Sequence, residues 1–404
     1  LTILAINTGS STLKFALYPV HQGKVQNASV SGSFSGLEPQ GKATLRWRVQ
    51  GAAGGGFGDG LDHQQALITD GRDVFEAALQ HLHTLLREQG LTSDLQAIAH
   101  RVVHGGATYR QAIVVDDAAL QGLQALSPLA PLHQPHNLMG IALCRRSDPD
   151  LPQVACFDTA FHSTLPETET RFALPQALHE QGIRRYGFHG LSYQYVVGAL
   201  RPVSARAHGC VVMAHLGNGA SLCATREGRS QATTMGFSAL EGLMMGTRCG
   251  ALDPGVLLHL LSLGWGAQQL EDLLYRQSGL LGVSGVSADM RRLRQDPSPA
   301  AQLAIDLFEH RIVREMGAMV ACVQGLDVLA FTGGIGENDA ALRASVCSRL
   351  AYLGLQLDTN ANLRADGRQV NRIHGPNSAV EVWVVPTDEG KVAAQAAADL
   401  VCPS

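Results

Sequence analysis

Apolar and polar positions fall into one order that is used twice along the chain: short apolar runs first, then helical periodicity interleaved with further apolar runs. In the first part, the runs Ile3 to Ile6, Leu13 to Tyr18 and Thr44 to Val49 predict strands. Between Asp73 and Gln89, the apolar residues Phe75, Leu79, Leu82 and Leu86 recur at spacings of three and four. That predicts an amphipathic helix closed by Gly90. Strands are predicted again at Ala97 to Val103 and Gln153 to Phe157, with a helical region between them, and the glycine-rich run Gly51 to Gly60 reads as a surface loop.

After about residue 159 the order restarts. Strands are predicted at Val211 to His215, Ser221 to Arg226 and Ser230 to Met235, and helices from Pro254 to Tyr275 and from Ala300 to Val323. A buried strand, Val328 to Phe331, runs into Gly333-Gly-Ile-Gly-Glu-Asn338 and a helix. A last strand, Val380 to Val385, leads through Pro386 to an alanine-rich C-terminal helix. This recurrence implies an α/β chain of two related lobes with a cleft between them. The expected division is residues 1–158 with 390–404 as an N-terminal lobe closed by the C-terminal helix, and 159–389 as a nucleotide-binding lobe.

Each half also opens on the same kind of turn. Asn7-Thr-Gly-Ser-Ser-Thr-Leu-Lys14 and His215-Leu-Gly-Asn-Gly219-Ala-Ser221 both follow an apolar strand and lead into a returning one. Small residues there let successive backbone N–H groups converge on an anion. One turn per half suggests a nucleotide held by duplicated lobes.

Composition narrows the classes. At 404 residues the chain exceeds one ordinary core, and with 16% charged against 45% hydrophobic residues it reads as a well-buried globule. A net charge of -4 gives no electrostatic footprint for nucleic acid or an anionic membrane, so neither is expected as a partner. The eight cysteines lack Cys-x-x-Cys spacing and read as buried free thiols. The start of the chain lacks a basic-then-apolar leader, so a cytoplasmic location is expected. There is no Gly-x4-Gly-Lys-Ser/Thr, no His-Arg-Asp and no Asp-Phe-Gly, which disfavours P-loop and protein-kinase chemistry. Gly334-Ile-Gly336 is a weak dinucleotide fingerprint, because Asp339 stands where Gly or Ala is wanted.

A specific resemblance comes from motifs in sequence order. They are the first turn above, His100-Arg101-Val-Val-His-Gly-Gly106, Ala130-Pro-Leu-His133, Phe157-Asp158-Thr-Ala-Phe-His162 and Arg185-Tyr-Gly-Phe-His189-Gly190. There follow His215-Leu-Gly-Asn-Gly219, Met235-Gly-Phe, Gly246-Thr-Arg248-Cys-Gly250, Gly282-Val-Ser-Gly-Val-Ser-Ala-Asp289, Gly334-Ile-Gly-Glu-Asn338 and Pro386-Thr-Asp-Glu389. Over nearly the whole chain this set resembles the acetate kinase family.

The resemblance implies the two-lobed, actin-like (ribonuclease H-like) fold with an interlobe active-site cleft, and transfer of the ATP γ-phosphoryl group to acetate. It gives Arg101 and Arg248 the task of neutralising charge, His189 that of stabilising the transition state, and His133 a supporting role. Asn7, Glu389 and Asp158 match metal-associated positions for magnesium, with manganese as the alternative, and Asp158 is also suited to orient an arginine. Ser10, Ser11, Thr12, Lys14, His215, Asn218 and Gly219 would hold phosphates. Gly334, Ile335, Asn338, Asp289, Met290 and Arg291 would enclose adenosine. Val103, Leu132, Phe188 and Ala239 match the pocket for the acetate methyl, with Ala239 standing where the family commonly has Pro. Leu191-Ser192-Tyr193 replaces Thr-Ser-His, and Asp388 stands where Asn is usual before Glu389. The expected order is acetate first with measurable propionate use, in a homodimer. Arg101→Ala or Arg248→Ala is expected to cut turnover by orders of magnitude without unfolding. A kinase for another short carboxylic acid is the rival within enzymes, and an actin- or Hsp70-like ATP-driven switch is the rival outside them.

Overall fold

The computed structural model describes residues 1–38, 41–49, 62–69 and 73–402, so the Gly51 to Gly60 stretch lies outside the described residues. The chain divides into two units, Leu1–Phe161 with Asp388–Ser404, and His162–Thr387.

In the first unit the strands are β1 (Thr2–Thr8), β2 (Thr12–His21), β3 (Lys24–Val25), β4 (Val30–Ser35), β5 (Thr44–Val49), β6 (Asp62–Ala66), β7 (Leu95–Val102), β8 (Ile113–Val114) and β9 (Gln153–Phe157). Their order across the sheet is β6-β5-β4-β2-β1-β7-β9-β8, with β3 pairing on β2. The second unit has β10 (Cys210–Leu216), β11 (Ala220–Arg226), β12 (Arg229–Thr233), β13 (Val328–Thr332), β14 (Asn371–Arg372) and β15 (Glu381–Val384), in the order β12-β11-β10-β13-β15-β14.

The two sheets share one plan. β4-β2-β1-β7-β9 and β12-β11-β10-β13-β15 both read third, second, first, fourth, fifth; the first three strands are antiparallel, and the last two join parallel to the first. The duplication expected from the pattern is therefore present in the strand order itself. The parallel strands β9 and β13 are buried end to end, which is why they read as largely apolar runs. The turns between β1 and β2 and between β10 and β11 occupy equivalent places, each closed by a backbone bond, Gly9 N–H to Thr12 O at 2.8 Å and Gly217 N–H to Gly219 O at 3.0 Å.

The helix Val74–Glu88 forms as the spacing predicts. Asp73 Oδ1 accepts from the amides of Phe75 and Glu76 at 3.0 and 3.1 Å. The last turn closes with Gly90 N–H to Arg87 O and Leu91 N–H to Leu86 O, a Schellman pair. Its apolar face, including Phe75, Leu79, Leu82 and Leu86, packs on the sheet with Leu4, Phe15 and Phe34. In the second unit the helix Pro299–Val323 buries Ala301, Ala304, Ile305, Phe308, Ile312, Met316 and Met319, spaced by three and four.

Several features depart from the sequence expectation. Strand β4 carries no clear sequence signal because Val-Ser-Gly-Ser-Phe-Ser has little apolar mass; Gly32 is needed there, since a Cβ would lie 2.6 Å from both the Phe15 ring and the Arg46 carbonyl oxygen. The region Pro254 to Tyr275 is two helices, Pro254–Ser262 and Ala267–Arg276, broken at Gly264-Trp265-Gly266. Cys144, Cys156, Cys223 and Cys347 are buried free thiols, but Cys322 is exposed. Among the described residues no helix is long and apolar enough to cross a membrane.

Candidate active site

Parallel pairing builds the first cluster. Arg101 stands next to last on β7 and pairs with Cys156 of β9, so Asp158, one residue past the end of β9, arrives beside it. The Arg101 guanidinium donates to both carboxylate oxygens of Asp158, Nε to Oδ1 at 2.8 Å and Nη2 to Oδ2 at 2.6 Å. Glu389 Oε2 lies 3.5 Å from Nε. Glu389 begins the helix Glu389–Val401, whose cap is Asp388: its carboxylate accepts from Lys391 N–H at 3.0 Å and from the Tyr18 hydroxyl at 2.6 Å. Burial opposes the charge on Arg101, but Asp158 and Glu389 more than offset it and hold the guanidinium above its ordinary pKa.

The second unit has its own cluster. His189 caps the helix Gly190–Leu200 in the left-handed region, φ +58°, an uncommon state for a residue with a side chain. Its ring stacks on His215 with centroids 4.1 Å apart and planes at 18°. Nδ1 is 2.8 Å from Ser221 Oγ, which is 2.5 Å from the Tyr193 hydroxyl; Ser192 Oγ is 2.8 Å from His215 Nδ1. A Cβ placed on Gly219 would lie 3.4 Å from His189 Nε2 and 3.8 Å from Arg248 Nη1, so both groups face the space above that glycine. Arg248 Nη1 donates to the Ala239 carbonyl at 3.0 Å, and Asn218 O accepts from Gly246 N–H at 3.0 Å, which ties the turn to the Arg248 segment.

Beside this cluster, within the same unit, a cavity of about 960 Å³ is lined by Gly217, Asn218, Asp289, Met290, Arg291, Gly334, Ile335 and Asn338, together with Arg294 and Asp339. All six residues expected around adenosine thus line one cavity with the glycine turn that begins β11. The Gly333–Asn338 stretch is itself a turn of helix capped by Thr332. Gly333 has φ +75°, and a Cβ there would meet the Leu216 backbone at 2.8 to 3.0 Å. Glu337 Oε1 accepts from the amides of Gly333 and Thr387 at 2.9 and 3.1 Å. Asp289 caps the helix Met290–Gln295 and is chelated by Arg291 at 3.1 and 2.7 Å, which lowers its pKa to about 2.

The remaining expected residues take these places. Val103 is buried and donates its amide to Asn137 Oδ1 at 2.9 Å; Leu132 and Ala239 are partly buried. Phe188 is buried, and its carbonyl accepts from His162 Nε2 at 2.8 Å, which makes Nε2 the protonated nitrogen and leaves Nδ1 to accept from Ser230. Burial lowers the His162 pKa to about 4. His133 is the capping residue of the helix Gln134–Ser147. Asn7 pairs with Lys14 across the β1/β2 hairpin; Lys14 and Ser10 are exposed, Ser11 and Thr12 partly so. No group of three or more His, Cys, Asp or Glu able to hold a metal exists among the described residues. Sequence reasoning missed Ser221, Arg294 and Asp339, and it counted Tyr193 only as a departure. The signal for Tyr193 was its place four residues after His189, one helical turn away.

Two sheets of one strand order, each with a small-residue turn after its first strand, with His189 and Arg248 set beside the second turn, define a mixed α/β phosphotransferase of two related units. The chain belongs to the acetokinase family, whose sequence model matches residues 2–395. It is 47% identical over 394 residues to the acetate kinase of Rhodopseudomonas palustris, covering 96% of this chain and 95% of that protein. Among solved structures it is similar to a propionate kinase from Francisella tularensis (TM-score 0.88, 35% identity, 98% of each chain) and to the acetate kinase of Porphyromonas gingivalis (TM-score 0.86, 32% identity, 99% of each chain).

Proposed function

We propose that this chain catalyses reversible in-line transfer of the γ-phosphoryl group of ATP to acetate, giving acetyl phosphate and ADP. The observation that carries the reading is membership of the acetokinase family over residues 2–395. The two side-chain clusters supply its chemistry. A carboxylate nucleophile with a pKa of roughly 4 to 5 is ionised at neutral pH, so no general base is required. The barrier is repulsion between that anion and the terminal phosphate.

In this reading Arg101 and Arg248 neutralise the transferring group, since a guanidinium stays charged and offers a rigid fork of donors. Asp158 and Glu389 keep Arg101 charged and aimed. His189 donates from Nε2 to an equatorial oxygen of the phosphoryl group, with His133 in support. Asn218, Gly219, His215, Ser10, Ser11, Thr12 and Lys14 hold phosphates, and the cavity at Gly334 to Asn338 takes adenosine. Both oxygens of Asp158 already accept from Arg101, so Glu389 and Asn7 are the oxygen donors best suited to a hard cation that keeps most of its shell for water and phosphate. Magnesium, or manganese in its place, neutralises phosphate charge when bound with the nucleotide.

Propionate is the second reading. Ala239 removes the ring volume of the family's proline, and the similarity to the Francisella propionate kinase favours some tolerance of a longer chain. One methylene is worth only about 1 to 3 kcal/mol, so acetate leads. We assign the chain to the cytoplasm as a homodimer. The helix Pro254–Ser262, which buries none of its residues and exposes Leu258 and Leu261, supports self-association.

The test mixes the protein with MgATP, acetate and hydroxylamine and measures acetohydroxamate. Acetate-dependent product is expected. ATP hydrolysis that ignores acetate and yields no hydroxamate would defeat the reading and favour an ATP-driven switch. Higher kcat/KM for propionate in a parallel assay would reverse the substrate order.

A further inference from the structure

The hydroxyls of Tyr193 and Ser221 form a chain that ends on His189, with O···O 2.5 Å and O···N 2.8 Å. We propose that Tyr193 and Ser221 are positioning residues that fix the tautomer and direction of His189, so that a protonated Nε2 faces the space above Gly219. The inference rests on the reading of His189 as the group that touches the transferring phosphoryl.

The donor count sets the direction of the chain. A serine hydroxyl has one proton to give. The phenol, with an ordinary pKa of about 10, is the more acidic hydroxyl and the better donor. Tyr193 therefore donates to Ser221 Oγ, Ser221 donates to His189 Nδ1, and the imidazole proton resides on Nε2. With Nδ1 protonated, either Ser221 Oγ accepts from both neighbours and its own buried proton goes unused, or the alcohol donates to the phenol, and both leave Nε2 as an acceptor facing an anion. Burial, the largest influence, holds the Tyr193 phenol well above its usual pKa, so it keeps its proton.

The ring is fixed in its other degrees of freedom as well. Tyr193 N–H donates to the His189 carbonyl at 3.1 Å, one helical turn on, and Tyr193 is fully buried. Ser221 pairs in register with His215 across β10 and β11, and the His215 ring stacks on the His189 face at 4.1 Å. Register, helical turn and stacking thus deliver one edge of the imidazole to a hydroxyl and the other to Gly219, where a Cβ would come within 3.4 Å of Nε2.

The experiment is nitrogen-15 NMR of histidine-labelled protein, with the His189 signals assigned by their loss in His189→Asn, together with steady-state kinetics of Tyr193→Phe and Ser221→Ala. The wild-type spectrum is expected to show His189 with Nδ1 bare and Nε2 protonated. Each variant is expected to mix the tautomers and to lower kcat about tenfold while KM for acetate stays within about twofold, a smaller loss than the 10²- to 10³-fold cost of removing a whole transition-state donor. A protonated Nδ1 in the wild type overturns the proposal even if neither variant folds. So do variants that keep both the spectrum and kcat. Full turnover in His189→Asn would instead defeat the catalytic reading of His189, while the wild-type spectrum still judges the hydroxyl chain.

Discussion

Arg101 is gripped by Asp158 through two bonds while Asp158 itself is almost wholly buried, which alters what its removal should do. Sequence reasoning expects Arg101→Ala to silence turnover and spare the fold. The geometry adds a cost, because a buried carboxylate would lose its partner, and breaking such a pair destabilises by about 3 to 5 kcal/mol. Arg101→Ala should therefore lower both kcat and the thermal midpoint. Arg101→Lys keeps the charge, loses the fork, and should lower kcat by about 10²-fold or more with a smaller shift in midpoint. Equal melting of the two variants would contradict the clamp. Ala239→Pro tests the acyl pocket: it should cut kcat/KM for propionate relative to acetate by roughly tenfold, and an unchanged ratio would remove Ala239 from the pocket. At this scale Arg101, Asp158 and Glu389 were legible because they lie inside ordered motifs. Ser221 was not, since its tie to His189 arises from cross-strand register and from the left-handed backbone of His189.

The elements that read most clearly were those with local signals. Apolar residues spaced by three and four, with Gly90 after them, marked the helix Val74–Glu88 nearly to the residue. Strand β4 had no such signal, because its serines and glycine make sense only against Phe15 and Trp47 of its neighbours. The Gly333–Asn338 stretch read as the start of a helix after a strand and is helical; only the approach of the Leu216 backbone explains its first glycine. Gly333→Ala would have to hold φ +75° and push that backbone away. It should cost about 1 to 3 kcal/mol in stability and raise KM for ATP several-fold with KM for acetate unmoved. A shift in acetate KM alone would place the turn elsewhere in the chemistry.

At the scale of the whole molecule, His100, His104 and His162 have their pKa lowered to about 4, in each case first by burial. Between pH 4 and 6.5 the unfolded chain binds protons that the folded chain refuses, so stability rises with pH over that window. Acidification from pH 6.5 to 4 should remove up to about 3 kcal/mol per group. Thermal melts should fall steadily across the same interval, and a constant midpoint would mean that these rings take up protons in place. The duplicated strand order was legible as a repeated pattern of runs, and β5 was legible at its exact bounds, while the edge strands β6, β8 and β14 carried no such signal. The first unit is also discontinuous: it needs Asp388 and the helix Glu389–Val401, which come after the whole of the second unit. During synthesis on the ribosome, the unbroken segment 162–387 can complete itself while the earlier lobe waits. Arg101 gains its second carboxylate only when that final helix is made, so in a nascent or prematurely terminated chain the guanidinium has Asp158 alone to hold it.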